Sequence, residues 1–152
     1  MSHTSLTYGE IKIGDAAALS LVADAETVKT YARLTGDLNP VHLDEDYAAR
    51  SFFKGRVAHG LLAAGLIGAV MGTRLPGPGS IYLRQELDFK SPVFLGETIT
   101  ARVQVLEKFD RQEKIKLRTW VENQDGRVVL DGSAMVLFRP AGRGLAIKQA
   151  EP

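Results

Sequence analysis

The stretch IYLRQELDF places Ile81, Leu83, Leu87 and Phe89 in alternation with Tyr82, Arg84, Glu86 and Asp88. A period of two is the mark of a strand with one face buried and one wet. TITARVQV and KIKLRTWVE alternate in the same way, and RVVLDGSAMVLFR supplies a further strand after the Asp125-Gly126 hairpin signal. The segments between them, SPVFLG, FDRQE and NQDG, have the length of hairpin connections. Hairpins pair antiparallel, so the second half of the chain predicts one antiparallel sheet of consecutive strands. The first half differs. ALSLVADAETVKTYARLTGD reads as a strand and then a helix that stops at Gly36. In LDEDYAARSFF, Asp44 stands where an N-cap belongs, with Glu45 and Asp46 in a first turn that favours negative charge.

The most apolar run is GLLAAGLIGAVMGTRL, from Gly60 to Leu75. A helix of that length is roughly 22 Å long, short of the ~20 apolar residues of a membrane span, and Arg74 ends it early. Its glycines, Gly60, Gly65, Gly68 and Gly72, each cost a helix interior about 1 kcal/mol, so their small size must serve something. Small residues let backbone approach backbone and leave room beside the helix for an apolar ligand. No second apolar helix of that size exists to cover it, while the sheet has an apolar face to bury. The expected architecture is therefore α+β: one domain over residues 1–152, with an antiparallel sheet curled around a long central helix. Its core runs from about 8 to 140, and AGRGLAIKQAEP after Pro140 is expected to be a loosely ordered tail.

Composition narrows the partners. Nineteen Lys and Arg against eighteen Asp and Glu leave a net charge of +1 over 152 residues. That balance argues against nucleic acid and anionic membrane as partners and favours a small or medium-sized ligand. The chain has no cysteine, which excludes disulfides, thiolate metal sites and a cysteine nucleophile. MSHTSLTYGE lacks a basic stretch followed by an apolar run, so no signal peptide is read there and the cytoplasm is the expected location.

Candidate chemistry concentrates in LTGDLNPVHLDEDYAAR. Pro40 interrupts any regular helix between Asp37 and His42, so a folded loop must relate them. Such a loop can turn a carboxylate and an imidazole toward one water, dividing acid and base work between them. By spacing alone, Asp37 and Asn39 are equally turn formers, and His42 equally a loop residue. The acidic cluster Asp44, Glu45 and Asp46 is explained by a capped helix start rather than a metal site. His59, just before the apolar helix, suits a structural or orienting role. No GxSxG elbow, phosphate loop or HExxH pair occurs.

YARLTGDLNPVHLDEDYAA, VAHGLLAAGLIG and GSIYLRQELDFKSPVFLGETI closely resemble the MaoC-like (R)-specific enoyl-CoA hydratases, including those that feed polyhydroxyalkanoate synthesis. The resemblance covers roughly residues 8 to 140. Its first motif is complete: an aromatic residue, LTGDxNPxH, and a small residue, Ala48, six positions on. It implies a hot-dog fold, a homodimer, no cofactor and no metal. It also implies an acyl-CoA thioester substrate, hydrated reversibly and syn to an (R)-3-hydroxyacyl-CoA. Asp37 and His42 match the catalytic pair. Gly60 matches the residue whose backbone N–H polarises the thioester carbonyl, with Asn39 and His59 orienting. Leu62, Gly65 and Gly68 are the expected acyl-pocket residues on the helix. Some relatives carry Ser where this chain has Gly68. Dehydration of 3-hydroxyacyl groups on acyl carrier protein would use the same residues. A non-catalytic acyl-CoA-binding module is the contrasting class.

Overall fold

The structure, a computed structural model, describes residues 6–140. The tail expected after Pro140 lies outside the described residues. The elements are β1 (Ala16–Val22), α1 (Ala25–Thr35), α2 (Pro40–Leu43), α3 (Glu45–Arg50), α4 (Gly60–Thr73), β2 (Ser80–Phe89), β3 (Thr98–Phe109), β4 (Lys114–Asn123) and β5 (Val128–Phe138). The five strands form one sheet in the order β1-β3-β4-β5-β2, antiparallel at every pairing.

Alternation works as expected in the middle of the sheet. Ile99, Ala101, Val103 and Val105 of β3 and Ile115, Leu117 and Val121 of β4 are almost fully buried. They meet Ala63, Leu66, Ile67, Val70 and Met71 of α4, which share one helix face at i, i+3, i+4 spacing. The opposite sheet face is polar, with Ser20 Oγ 2.8 Å from Thr100 Oγ1 and an Arg102–Glu122 ion pair at 2.7 Å. The β4–β5 turn is fixed by buried Asn123, whose Oδ1 accepts from the N–H groups of Asp125 (3.1 Å) and Arg127 (3.0 Å). Gly132 of β5 is held to glycine by the sheet itself, since a Cβ there would run into the Glu86 carbonyl of β2.

Two expectations about β2 fail. SPVFLG is not a hairpin turn: β2 pairs with β5, and residues 90–97 cross from that edge to β3. Pro92 has no N–H for a ladder, and the segment finds its partners elsewhere. Ala58 N–H donates to Val93 O (2.7 Å), Lys90 N–H donates to Val129 O (2.9 Å), and Val57 bridges Phe94. The alternation of β2 also does not carry through the strand, because a register shift between Tyr82 and Arg84 changes which residues face the helix. Tyr82, Gln85, Leu87 and Phe89 stand opposite the inward-facing Val136, Ala134, Gly132 and Leu130 of β5, while Ile81, opposite Leu137, is on the other face and 42% exposed; Phe89, at the strand end, is 57% exposed. The same shift further twists this edge.

The glycines of α4 also divide. Gly65 and Gly72 face open space, whereas Gly60 and Gly68 lie under the rings of Phe89 and Tyr82. Among the described residues no helix is long and apolar enough to cross a membrane.

Candidate active site

The loop from α1 to α2 is built by its own polar side chains. Asp24 caps the start of α1, its Oδ1 accepting from Thr27 N–H at 2.7 Å, and Gly36 ends the helix at φ 79°. That left-handed turn is one glycine adopts without strain. Asp37 N–H then donates to Thr35 Oγ1 (3.3 Å), and Asp37 Oδ1 accepts from Asn39 N–H (3.2 Å). Asn39 Oδ1 accepts from Val41 N–H (3.3 Å) and caps α2, with Pro40 at its first position. Proline breaks helices in the interior yet starts them well, since the first N–H has no helical partner. Pro40 therefore separates a turn carrying Asp37 from a short helix carrying His42.

His42 is gripped twice. Its Nδ1 lies 2.7 Å from Val57 O, and its own carbonyl accepts from Arg56 Nε–H at 2.8 Å. A carbonyl only accepts, so Nδ1 must carry the hydrogen and Nε2 must present its lone pair. His59, at the N-cap of α4, is 3% exposed and donates from Nε2 to the Asp37 carbonyl at 3.0 Å. Its Nδ1 is buried without a hydrogen-bond partner. The two imidazoles stack with centroids 3.8 Å apart and planes tilted by 34°, and the Tyr31 ring lies 4.9 Å beyond His59.

Burial holds the His42 pKa below its ordinary value. The Val57 carbonyl opposes that shift, the neighbouring His59 adds to it, and the Asp37 carboxylate opposes it. The net direction is down, so His42 is a neutral acceptor at neutral pH. Asp37, His42 and His59 each offer an atom within 4.8 Å of the others. His42 Nδ1 and His59 Nε2 are already committed to carbonyls. The remaining imidazole lone pairs lie in the planes of two stacked rings, a poor geometry for converging on one ion.

Two cavities open on this group. One, of about 420 Å³, is lined by Asn39, His42 and Gly60 among the polar and small residues, and by Val41, Phe53, Val57, Ala63, Val93 and Leu130 among the apolar ones. The other, of about 380 Å³, is lined by Tyr31, Thr35, Asp37, His42, His59, Gly60, Leu61 and Phe89. Asp37, Asn39, His42, His59 and Gly60 are thus brought together. Leu62, Gly65 and Gly68 are not part of this group. Leu62 is half-buried against the core, while Gly65 and Gly68 line a separate concavity along Tyr82, Leu83, Arg84 and Gln85. The helix residues that reach the cavity beside His42 are Gly60 and Ala63.

Sequence reasoning missed Val57, Arg56 and Phe89. Val57 acts through its carbonyl, which every residue type carries, so no pattern could mark it. Arg56 acts on a residue distant in the sequence. Phe89 carried a signal, as the last apolar position of an alternating strand, which pointed to core rather than to the site.

A family model described as the MaoC like domain matches residues 11–126. The (R)-specific enoyl-CoA hydratase of Rhodospirillum rubrum is 43% identical over 135 residues, covering 89% of this chain and 93% of the relative. The 3-hydroxybutyryl-CoA dehydratase of Methylorubrum extorquens is 42% identical over 131 residues, 86% of this chain and 83% of the relative. Among solved structures, the unliganded R-hydratase of Pseudomonas aeruginosa superposes with a TM-score of 0.83 at 41% identity, covering 88% of this chain and 85% of that one. The family model spans β1 to β4, the central helix and the loop that carries Asp37 and His42, and the chain belongs to the MaoC-like hot-dog family.

Proposed function

We propose that the chain is an (R)-specific enoyl-CoA hydratase, adding water reversibly across the double bond of a trans-2-enoyl-CoA. The observation that carries this reading is the tautomer of His42. With Nδ1–H tied to Val57 O, the Nε2 lone pair is presented as a base of lowered pKa. The carboxylate of Asp37 belongs to the same cluster. In the proposed reaction the pair takes a proton from water as its oxygen bonds to the β-carbon. The electron pair of the double bond moves toward the thioester oxygen. That proton then passes to the α-carbon on the same face, so the addition is syn and the pair ends as it began. Backbone N–H groups at the start of α4, that of Gly60 first, face the developing oxyanion; His59 adds no side-chain cap there. Asn39 shapes the loop, and His59 holds the Asp37 carbonyl.

We propose the cytoplasm as the location and a homodimer as the working form. The exposed Ile81, Tyr82 and Leu83 on the free edge of β2 support pairing across a two-fold axis, which covers both the apolar side chains and the unpaired backbone.

Crotonyl-CoA tests the activity through loss of its enoyl-thioester absorbance, with the product offered to (R)- and (S)-specific 3-hydroxyacyl-CoA dehydrogenases. Absorbance loss with signal from the (R) enzyme is expected. Binding without absorbance loss, or signal only from the (S) enzyme, would reject the reading.

A further inference from the structure

The loop that carries Asp37 and His42 also borders another concavity, of about 600 Å³, which shares no lining residue with the two beside His42. Buried Ala32 of α1 and half-buried Leu43 give it an apolar floor. Its charged groups are Lys29, Arg33 and Arg56, against one acid, Glu26. Lys29 and Arg33 stand one turn apart on α1, the spacing at which like charges repel. Glu26 turns one carboxylate oxygen toward Thr30 Oγ1, at 3.5 Å. Among the described residues no carboxylate comes within ion-pair distance of any of the three cations. Arg56 comes from a different element and is already oriented. Its Nε–H donates to the His42 carbonyl at 2.8 Å, which sets the plane of the guanidinium. The two terminal NH2 groups of that fork have no acceptor among the described residues.

Three like charges in one hollow, one of them held in place beforehand, repel one another until an anion enters. A carboxylate offers two oxygens and one charge. A phosphate monoester offers three oxygens and about two negative charges at neutral pH, enough for the Arg56 fork and the cations of α1 together. The apolar floor calls for more than a bare ion, and the flat base of a nucleotide covers it. We propose that this groove is a binding site for a phosphorylated nucleotide, with the phosphate on Lys29, Arg33 and Arg56 and the base over Ala32 and Leu43. Two sources carry that chemistry: the nucleotide end of a CoA thioester, which rests on the hydratase reading above, and a free nucleotide, which does not.

The test uses the full-length chain, with adenosine 3′,5′-bisphosphate as the probe in calorimetry and adenosine as its phosphate-free control. The bisphosphate is expected to bind at least about tenfold more tightly than adenosine. The double variant Lys29→Gln, Arg33→Gln keeps good helix formers on α1 and should weaken the bisphosphate by about tenfold, while Arg33→Lys, which keeps the charge, stays within about threefold. Crotonyl-CoA kinetics then tell the sources apart. Competitive inhibition by the bisphosphate, with KM raised in the double variant and kcat unchanged, assigns the groove to the substrate's own nucleotide end. Bisphosphate binding that leaves the KM for crotonyl-CoA unchanged assigns it to a free nucleotide. No binding at millimolar bisphosphate, equal binding of adenosine, or a double variant within about threefold of the original protein would overturn the site. The calorimetric arm needs no turnover, so a chain that hydrates nothing loses the hydratase reading while the groove is still decided by binding.

Discussion

Replacing Asp37 by Asn separates the two things this residue does. As a turn former, Asp37 accepts Asn39 N–H on Oδ1 at 3.2 Å, and the amide oxygen of asparagine accepts it equally well. The other carboxylate oxygen lies 3.9 Å from His59 Nε2, too long for a hydrogen bond, and the side chain is 52% exposed. The hydrogen bond that His59 does make goes to the backbone carbonyl, which the substitution leaves untouched. Stability should therefore change by no more than about 0.5 kcal/mol, the usual range for a surface substitution. Acid–base chemistry is different, because an amide takes up no proton at neutral pH. Loss of an acid–base group commonly costs about 100 to 10,000-fold in rate, or about 2.7 to 5.5 kcal/mol at the transition state. The assay is crotonyl-CoA hydration beside a thermal melt of the same preparation. An Asp37→Asn variant that melts like the original and keeps more than one-tenth of its kcat/KM would show that Asp37 only builds the loop.

Further expectations follow from the same geometry. The acid limb of kcat/KM should have its midpoint below about 6.5, because burial lowers the pKa of His42 and the base works unprotonated; a midpoint above that value would contradict the assignment. For stability the sign is the same. The unfolded chain holds the His42 proton more tightly than the folded one, so this contribution is complete above about pH 6.5 and declines as pH falls toward the lower folded value. Thermal melts of the original and of His42→Gln across that range should converge at low pH. Gly60→Pro removes the proposed oxyanion N–H, and Gly60 has no positive φ to forbid proline. Since Gly60→Ala brings a comparable Cβ against Phe89 while keeping the N–H, turnover of the proline variant below the alanine variant isolates the donor. The expected ratio is about 100 to 1,000, and near-equal rates would place the donor elsewhere. Light scattering at micromolar concentration should give a dimer mass, and Leu83→Asp on the free β2 edge should shift it toward monomer; a monomeric original protein would end that proposal.

What the chain revealed about itself depended on whether the information lay in side-chain pattern or in backbone contact. β3 and β4 were legible because buried and more exposed residues alternate along both, with Trp120 the one apolar exception on the outer face of β4, and both strands lie inside the sheet. β2 carries the same alternation in its residues, but the bulge between Tyr82 and Arg84, which no residue type marks, leaves Ile81 on the face opposite to Leu87 and Phe89. The hairpin length of SPVFLG was misleading for a related reason. Loop length states how far a chain can reach, and the partners of residues 90–97 are the backbones at Ala58 and Val129, which leave no mark on residue type. In the site, Asp37, Asn39 and His42 were marked by the family resemblance, since spacing alone left them equally turn and loop residues; in the structure they both build the loop and line the cavities. Gly65 and Gly68, expected to line an acyl pocket, do line a concavity, one apart from the cavities beside His42. The structure turns them toward β2, and Gly60 and Ala63, nearer the N-terminus, reach the cavity beside His42.

The proposed base of this site is set by the part of the chain that chemistry marks least. His42 is directed by the carbonyl of Val57, and the next residue, Ala58, is bonded through its N–H to Val93 O in the crossover from β2 to β3. The same crossover bears Lys90 on the Val129 carbonyl and forms one wall of the cavity beside His42. The tautomer of the imidazole is thereby coupled to the seating of a segment that carries no acid–base group of its own. A side-chain change at Val57 leaves the carbonyl in place and should alter packing more than basicity. A change that displaces residues 90–97 moves Ala58, and with it the acceptor that holds the His42 hydrogen on Nδ1. If that acceptor withdraws, the hydrogen is free to exchange to Nε2, and the lone pair presented to substrate is lost without any change to His42 or Asp37.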